Sequence, residues 1–212
     1  MDLKERTRRA KEINRVLCDL FPYAKISLHF KTPWECLVAV QLSAQCTDKK
    51  VNEVTVKLFK KYPTLVAYLN ADPDEFAKDI YSTGFYKNKT KNILASARMI
   101  KEKFNGKIPK TMKEMLSLPG VARKTANVVL GAVYGVVDGI AVDTHVLRLS
   151  HQWGLTTNKN PVKVERDLLD ILPRSEWFGW TYKVIEYGRK YSPATKKSHK
   201  DEPLAQFYIE SK

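Results

Sequence analysis

The sequence predicts an all-α fold, and three observations predict it. Helix-start punctuation recurs: Thr32-Pro33-Trp34-Glu35 supplies a cap, a proline at the first helical position and a glutamate that reaches back to the cap, and Asp72-Pro73-Asp74-Glu75 repeats the device. Apolar residues fall at helical spacing, as in Ile93, Leu94, Ala97 and Ile100 on one face. Short alternating runs bounded by turn residues, the mark of strands, are few.

In chain order, the first helix is expected near residues 4–20. The next opens at the Thr32 cap and runs through Val38 and Leu42, and a third covers 48–61. The Asp72 cap opens another, which Gly84 can close in a left-handed conformation. A long helix is expected from Lys89 to Phe104, with Gly106 just beyond it. Further helices follow near 111–117, 122–134, 144–153, 162–171 and 177–190. Trp177, Trp180 and Tyr182, at helical spacing, read as core. No Gly, Ser or Pro linker and no internal repeat divides the chain, so pattern alone gives a single helical domain.

The 212 residues can bury a sizeable core, and 43% hydrophobic with 28% charged residues is an ordinary globular composition. No apolar stretch is long enough to span a bilayer, and Met1–Arg9 has no apolar region behind it, which argues against a secretory leader. Cys18, Cys36 and Cys46 have neither CxxC spacing nor an even count, as expected of reduced thiols in an intracellular protein. Charge is the unusual quantity. Thirty-seven Lys and Arg against 23 Asp and Glu give +14, the electrostatic footprint of a nucleic-acid binder that gains by releasing phosphate counterions.

Chemistry concentrates in two motifs. Residues 118–127 read Leu-Pro-Gly-Val-Ala-Arg-Lys-Thr-Ala-Asn, a tight turn at Pro119-Gly120 that opens a helix. Backbone N–H groups of Gly120, Val121, Ala122 and Arg123 and the helix's positive end suit a phosphate and carry no sequence preference. Lys124 falls in that helix's first turn. A lysine attacks only as the neutral amine, and a helix N-terminus and an enclosed setting both favour that form. Nineteen residues later, Val142-Asp143-Thr144-His145 puts Asp143 where it caps a helix and can stabilise positive charge developing on a sugar.

Together these motifs resemble the endonuclease III family of helix-hairpin-helix DNA glycosylases, over roughly residues 10–192. The resemblance implies two helical lobes with a DNA-binding cleft between them. One is a six-helix lobe over 25–136 with the hairpin motif near 111–134; the other is a discontinuous lobe from 1–24 and 137–212. It implies a bifunctional glycosylase and abasic-site lyase acting on oxidised pyrimidines in duplex DNA, with Lys124 as nucleophile and Asp143 as the assisting carboxylate. Leu42-Ser43-Ala44-Gln45-Cys46-Thr47-Asp48 matches a second family motif, in which Gln45 fills the gap left by a flipped nucleotide. Gly84-Phe85-Tyr86-Lys87-Asn88-Lys89 matches the loop that wedges the opposite strand, with the aromatic Phe85 replacing a smaller aliphatic residue. Ser43, Asp48 and His145 are candidates for the base pocket, and Lys87 and Lys89 for phosphate contacts. Ala122 stands where the family usually has a second hairpin glycine, and strain is expected there if the position needs a positive φ.

The chain departs from the family in its tail. Most members end with four cysteines holding a [4Fe–4S] cluster, whereas here no cysteine follows Cys46. Ser192, His199, Glu202 and Tyr208 fall where the thiolates would be, and such a set cannot hold that cluster. The expectation is a protein without metal or cofactor, its tail packed through Pro203, Leu204, Phe207, Tyr208 and Ile209. Lys196 and Lys197 are expected to keep the phosphate contacts of the cluster loop. Two other readings stay open: a mismatch uracil or thymine glycosylase, and a non-catalytic helix-hairpin-helix DNA binder. A DNA-associated intracellular monomer, cytoplasmic or in the nucleoid of a prokaryote, is expected, with damaged or abasic duplex DNA as its partner and no membrane.

Overall fold

In a computed structural model of the chain, residues 1–196 and 198–209 are described. Their regular structure is entirely helical: α1 (Leu3–Leu20), α2 (Pro33–Leu42), α3 (Asp48–Lys61), α4 (Leu65–Leu69), α5 (Pro73–Asp79), α6 (Tyr86–Lys103), α7 (Met112–Met115), α8 (Arg123–Tyr134), α9 (Thr144–Gln152), α10 (Pro161–Leu169) and α11 (Trp177–Lys190), with short 3-10 turns between some of them. The chain divides into two compact units. Ser27–Asp138 carries α2 to α8, and Met1–Ile26 joins the chain from Gly139 onward. No helix among the described residues is long and apolar enough to cross a membrane.

In the Ser27–Asp138 unit the caps act as the sequence requires. The Thr32 and Asp72 side chains accept from Glu35 N at 3.1 Å and Glu75 N at 2.8 Å, opening α2 and α5. From Trp34 to Leu42 α2 is buried except at Glu35, and it packs against α3, α6 and α8, as a helix apolar on all sides must. Three local details differ from the sequence expectation. The helix opened by Asp72 stops at Asp79, and a 3-10 turn over Tyr81–Thr83 leads to Gly84 at φ 70. α6 starts at Tyr86, ahead of the expected Lys89, because Phe85 reverses the chain at φ 48. The unexpected α4, opened by Thr64, is too short to show a period.

In the other unit, Ala10, Ile13 and Leu17 of α1 enter a core with Val146, Leu149, Trp153, Val164, Leu168, Trp180, Val184 and Tyr187. Lys183 of α11 is 7% exposed, and its ammonium reaches Glu176 at 2.7 Å and Asn14 of α1 at 2.9 Å, so the buried charge is paired. Leu204 and Phe207 of the tail join this core, with Tyr208 packed against it. Arg9 donates to the Phe207 carbonyl at 2.7 Å, tying α1 to the tail. Pro203 is exposed, contrary to expectation, whereas Ile209 is half-exposed with its side chain against Gly154, and its N–H donates to the Gln152 carbonyl at 2.8 Å.

Candidate active site

The hairpin joins α7 to α8, and its turn is fixed from beneath. Gly120 has φ 72, and a Cβ built there would lie 2.7 Å from Asn92 Nδ2, so both the backbone and the space demand glycine. The Pro119 carbonyl accepts from Gln41 Nε2 at 2.8 Å and from Ser96 Oγ at 3.0 Å. Gln41 and Ser96 are almost completely buried, so α2 and α6 together set the turn's position. Sequence reading passed over Gln41, Asn92 and Ser96. The available signal was a lone amide inside the apolar run Cys36–Leu42, since a buried amide must find a partner. Gly120→Ala is expected to cost about 1–2 kcal/mol through the left-handed backbone alone. It should also weaken duplex binding in fluorescence anisotropy, and wild-type affinity would show that the turn does not touch DNA.

Strain expected at Ala122 is absent. Its φ of −90 is ordinary extended backbone, and the positive φ of the hairpin belongs to Gly120. Ala122 is the N-cap of α8 and offers no side-chain acceptor, which leaves the helix's first N–H groups without a side-chain cap. Val121 is a correction. Its side chain is buried and its N–H already donates to Leu118 O at 3.2 Å, so it shapes the turn from inside and offers no amide to phosphate. Arg123 and Lys124 open α8, and Lys124 is exposed, without the enclosure expected of it. In the other unit, Asp143 caps α9, its Oδ1 accepting from Val146 N at 2.8 Å. His145 lies against the backbone of α11: a Cβ built on Gly188 would fall 2.3 Å from its Nδ1. Gly188 therefore makes room for the His145 ring.

The loops that carry Gln45 and Phe85 share a feature that the sequence did not reveal. Gln45, between α2 and α3, has φ 53, and Phe85, before α6, has φ 48. Both side chains are exposed, Phe85 by 63%. Left-handed backbone at a glutamine and a phenylalanine costs roughly 1–2 kcal/mol each and is tolerated where the surroundings fix it. Gln45, Phe85, Asn88, Asn92 and Gly120 line one cavity of about 240 Å³, which brings both loops and the hairpin turn to a common wall. Ser43 donates to the Val40 carbonyl at 2.8 Å in its own helix end, and Asp48, the first residue of α3, accepts from Ser27 Oγ at 2.5 Å, 21 residues earlier in the chain.

Among the basic candidates, Lys87 is exposed and available to phosphate. Lys89 is not: it is 6% exposed, and its ammonium donates to the carbonyls of Leu42 and Thr83, each at 2.8 Å. Burial pushes this ammonium below the usual lysine value, with Cys46 nearby pushing the other way. Lys196 also differs from expectation, because its ammonium bonds Tyr191 O at 3.0 Å and Glu202 at 3.1 Å. Lys197 lies outside the described residues.

Ser192, His199, Glu202 and Tyr208, expected where the family's thiolates stand, gather around the Glu202 carboxylate. Glu202 Oε2 accepts from Tyr208 OH at 2.5 Å and Tyr187 OH at 2.9 Å, while Oε1 lies 2.7 Å from His199 Nδ1. The Ser192 hydroxyl sits 3.0 Å from the Tyr208 oxygen, and the His199 and Tyr208 rings stack at 4.1 Å. Burial alone would raise the Glu202 carboxyl, but Tyr208, His199, Tyr187 and Lys196 outweigh it and hold it below the ordinary glutamate value. Burial and the same carboxylate push the Tyr208 phenol up to about 12. These oxygen and nitrogen donors do not fit a [4Fe–4S] cluster, which takes thiolates. No group of three or more His, Cys, Asp or Glu placed to hold a metal ion occurs among the described residues. Cys36, distant in sequence, is buried in α2 with its thiol pushed up to about 12 by burial.

Comparison with known proteins places this arrangement. The profile described as HhH-GPD superfamily base excision DNA repair protein matches residues 38–174. The chain is 46% identical to endonuclease III of Synechocystis sp. over 194 residues, covering 92% of this chain and 89% of that protein. A solved non-covalent endonuclease III–DNA complex is similar with TM-score 0.90 and 38% identity, covering 98% of this chain and 95% of that one. A trapped endonuclease III–DNA covalent intermediate, with an estranged adenine, matches with the same score and identity over 98% and 96%. On these likenesses the chain belongs to the HhH-GPD superfamily of base excision DNA repair proteins, within its endonuclease III branch.

Proposed function

We propose that the chain is a bifunctional DNA glycosylase and abasic-site lyase that removes oxidised pyrimidines from duplex DNA. The observation that carries this reading is Lys124, a primary amine exposed in the first turn of α8, directly after a hairpin turn held by buried side chains. The 38% identical relative solved as a trapped covalent intermediate with DNA supports the same chemistry.

The damaged nucleotide leaves the stack, and Gln45 and Phe85 enter the space and the facing strand. The Lys124 amine bonds to C1′ as the glycosidic bond breaks, and the base departs with that electron pair and takes up a proton. The carboxylate of Asp143 stabilises positive charge on the sugar and accepts the proton lost by the amine. Ring opening gives an imine between Lys124 and C1′, which acidifies the C2′ proton. Loss of that proton expels the 3′ phosphate oxygen, and the strand is cut on the 3′ side by β-elimination. Water, having no nitrogen to bond to C1′, cannot form the imine, which is why a lysine here implies strand cleavage as well as base release. Enclosure of the exposed Lys124 amine comes with bound DNA.

No step requires a cluster, and the chain works without one, its tail fastened by the hydrogen-bonded group around Glu202. Duplex DNA carrying thymine glycol is expected to be incised without alkali, with a β-elimination end at the 3′ side on sequencing gels. Base release that needs alkali to cut would instead indicate a water-dependent glycosylase, and activity confined to G·T or G·U mismatches would reassign the substrate.

A further inference from the structure

Lys89 bears a charge in a place where a charge is costly. It sits in the first turn of α6, whose positive end disfavours an ammonium, and it is 6% exposed. Its two partners are neutral main-chain carbonyls, so the pairing fixes positions and does not neutralise the charge. A residue serving only the core would be apolar, since well-packed hydrophobic replacements of buried charges are often neutral or stabilising.

The identity of the two carbonyls gives the arrangement its meaning. Leu42 ends α2, three residues before Gln45, and Thr83 ends the 3-10 turn, two residues before Phe85. The ammonium thus clamps together the roots of two loops, each of which then turns through a left-handed non-glycine residue. Lys89 also lines the cavity shared by Gln45 and Phe85. The two segments are some forty residues apart in the chain, so their separation is set by tertiary contacts, and the Lys89 ammonium bonds both loop roots at once.

We propose that Lys89 is a positioning residue for strand invasion: its buried ammonium sets the spacing between the Gln45 and Phe85 loops so that both side chains enter the duplex as a matched pair. The proposal rests on the DNA glycosylase reading above. A loss of registry between the loops raises the cost of holding the duplex open, and leaves the amine chemistry at a nucleotide that is already unstacked unaffected.

The test compares wild type with Lys89→Met, which keeps the stem and removes both hydrogen bonds, and with Lys89→Gln, which can restore one. Base release from duplex DNA containing thymine glycol is expected to fall at least tenfold in Lys89→Met and less in Lys89→Gln. The fluorescence rise of 2-aminopurine beside the lesion should fall in parallel. Borohydride trapping on a single-stranded abasic oligonucleotide, which needs no invasion, should stay within twofold of wild type for both. In a Gln45→Ala/Phe85→Ala background, adding Lys89→Met should cost no more than twofold further, because the groups it positions are gone. Duplex activity within twofold of wild type overturns the proposal. So does a full additional loss in that background, or an equal loss on single-stranded DNA, either of which makes Lys89 a general support of the fold. A wild type that neither releases thymine glycol from duplex DNA nor traps on abasic DNA removes the glycosylase reading itself, and the proposal with it.

Discussion

Lys124→Ala is expected to eliminate the adduct that borohydride should trap between the wild-type protein and duplex DNA carrying an abasic site, a loss of roughly a thousandfold or more. The size follows from the chemistry: only a primary amine can make the reducible imine, and alanine provides no substitute. Duplex binding changes far less. Removing a single lysine from a chain with 37 Lys and Arg lowers the salt slope of binding by about 0.9 at most. Retained affinity with lost trapping separates chemistry from binding and excludes a collapsed hairpin as the cause. An adduct that survives in Lys124→Ala would transfer the role to another amine, and Lys87, exposed beside the Phe85 loop, would be examined next.

Glu202→Ala is expected to destabilise the α1/α9–α11 unit by roughly 3 kcal/mol, because it leaves Tyr187, Tyr208, His199 and Lys196 facing a void where a buried carboxylate stood. At this chain length that corresponds to a melting temperature lower by about 6–12 °C, read by the fluorescence of Trp153 and Trp180 in that unit's core. The pH dependence has a definite sign. The folded-state carboxyl of Glu202 is held below its ordinary value, so its contribution is fully present above the unfolded value of ~4.3 and is lost as pH falls through the folded one. Glu202→Gln should therefore remove part of the acid-side loss of stability seen in the wild type. Iron analysis of the purified wild type should show no stoichiometric metal and no brown absorption. Bound iron would end the cluster-free reading, and a Glu202→Ala protein that melts with the wild type would show that the tail is held by Leu204 and Phe207 alone.

Much of the molecule was legible along the chain because its signals act within a helical turn. Thr32 and Asp72 cap the helices they were expected to open, and the apolar period of α1, α3 and α6 gives their buried faces. Lys124 in the first turn of α8 and Asp143 at the cap of α9 follow from the same local rules. The likeness to base excision repair proteins rests on those motifs in order. Loop conformations were less legible: Ala122 drew attention as a missing glycine, while the positive φ values fell on Gly120, Gln45 and Phe85.

The sequence by itself determined the helical class, the basic surface, the amine and carboxylate, and the lack of cluster thiolates, since each depends on composition or on residues within a few positions of one another. Tertiary structure alone decided which lysines are free to meet phosphate. Lys87 and Lys89 are near neighbours in the chain, yet one faces solvent and the other is clamped between α2 and the Thr83 turn. It likewise decided that Gln41 and Ser96 hold the hairpin and that Ser192, His199, Glu202 and Tyr208 gather around one carboxylate. The physical reason is common to all three: a buried polar group must find a partner, and the fold chooses that partner from segments far apart in the chain.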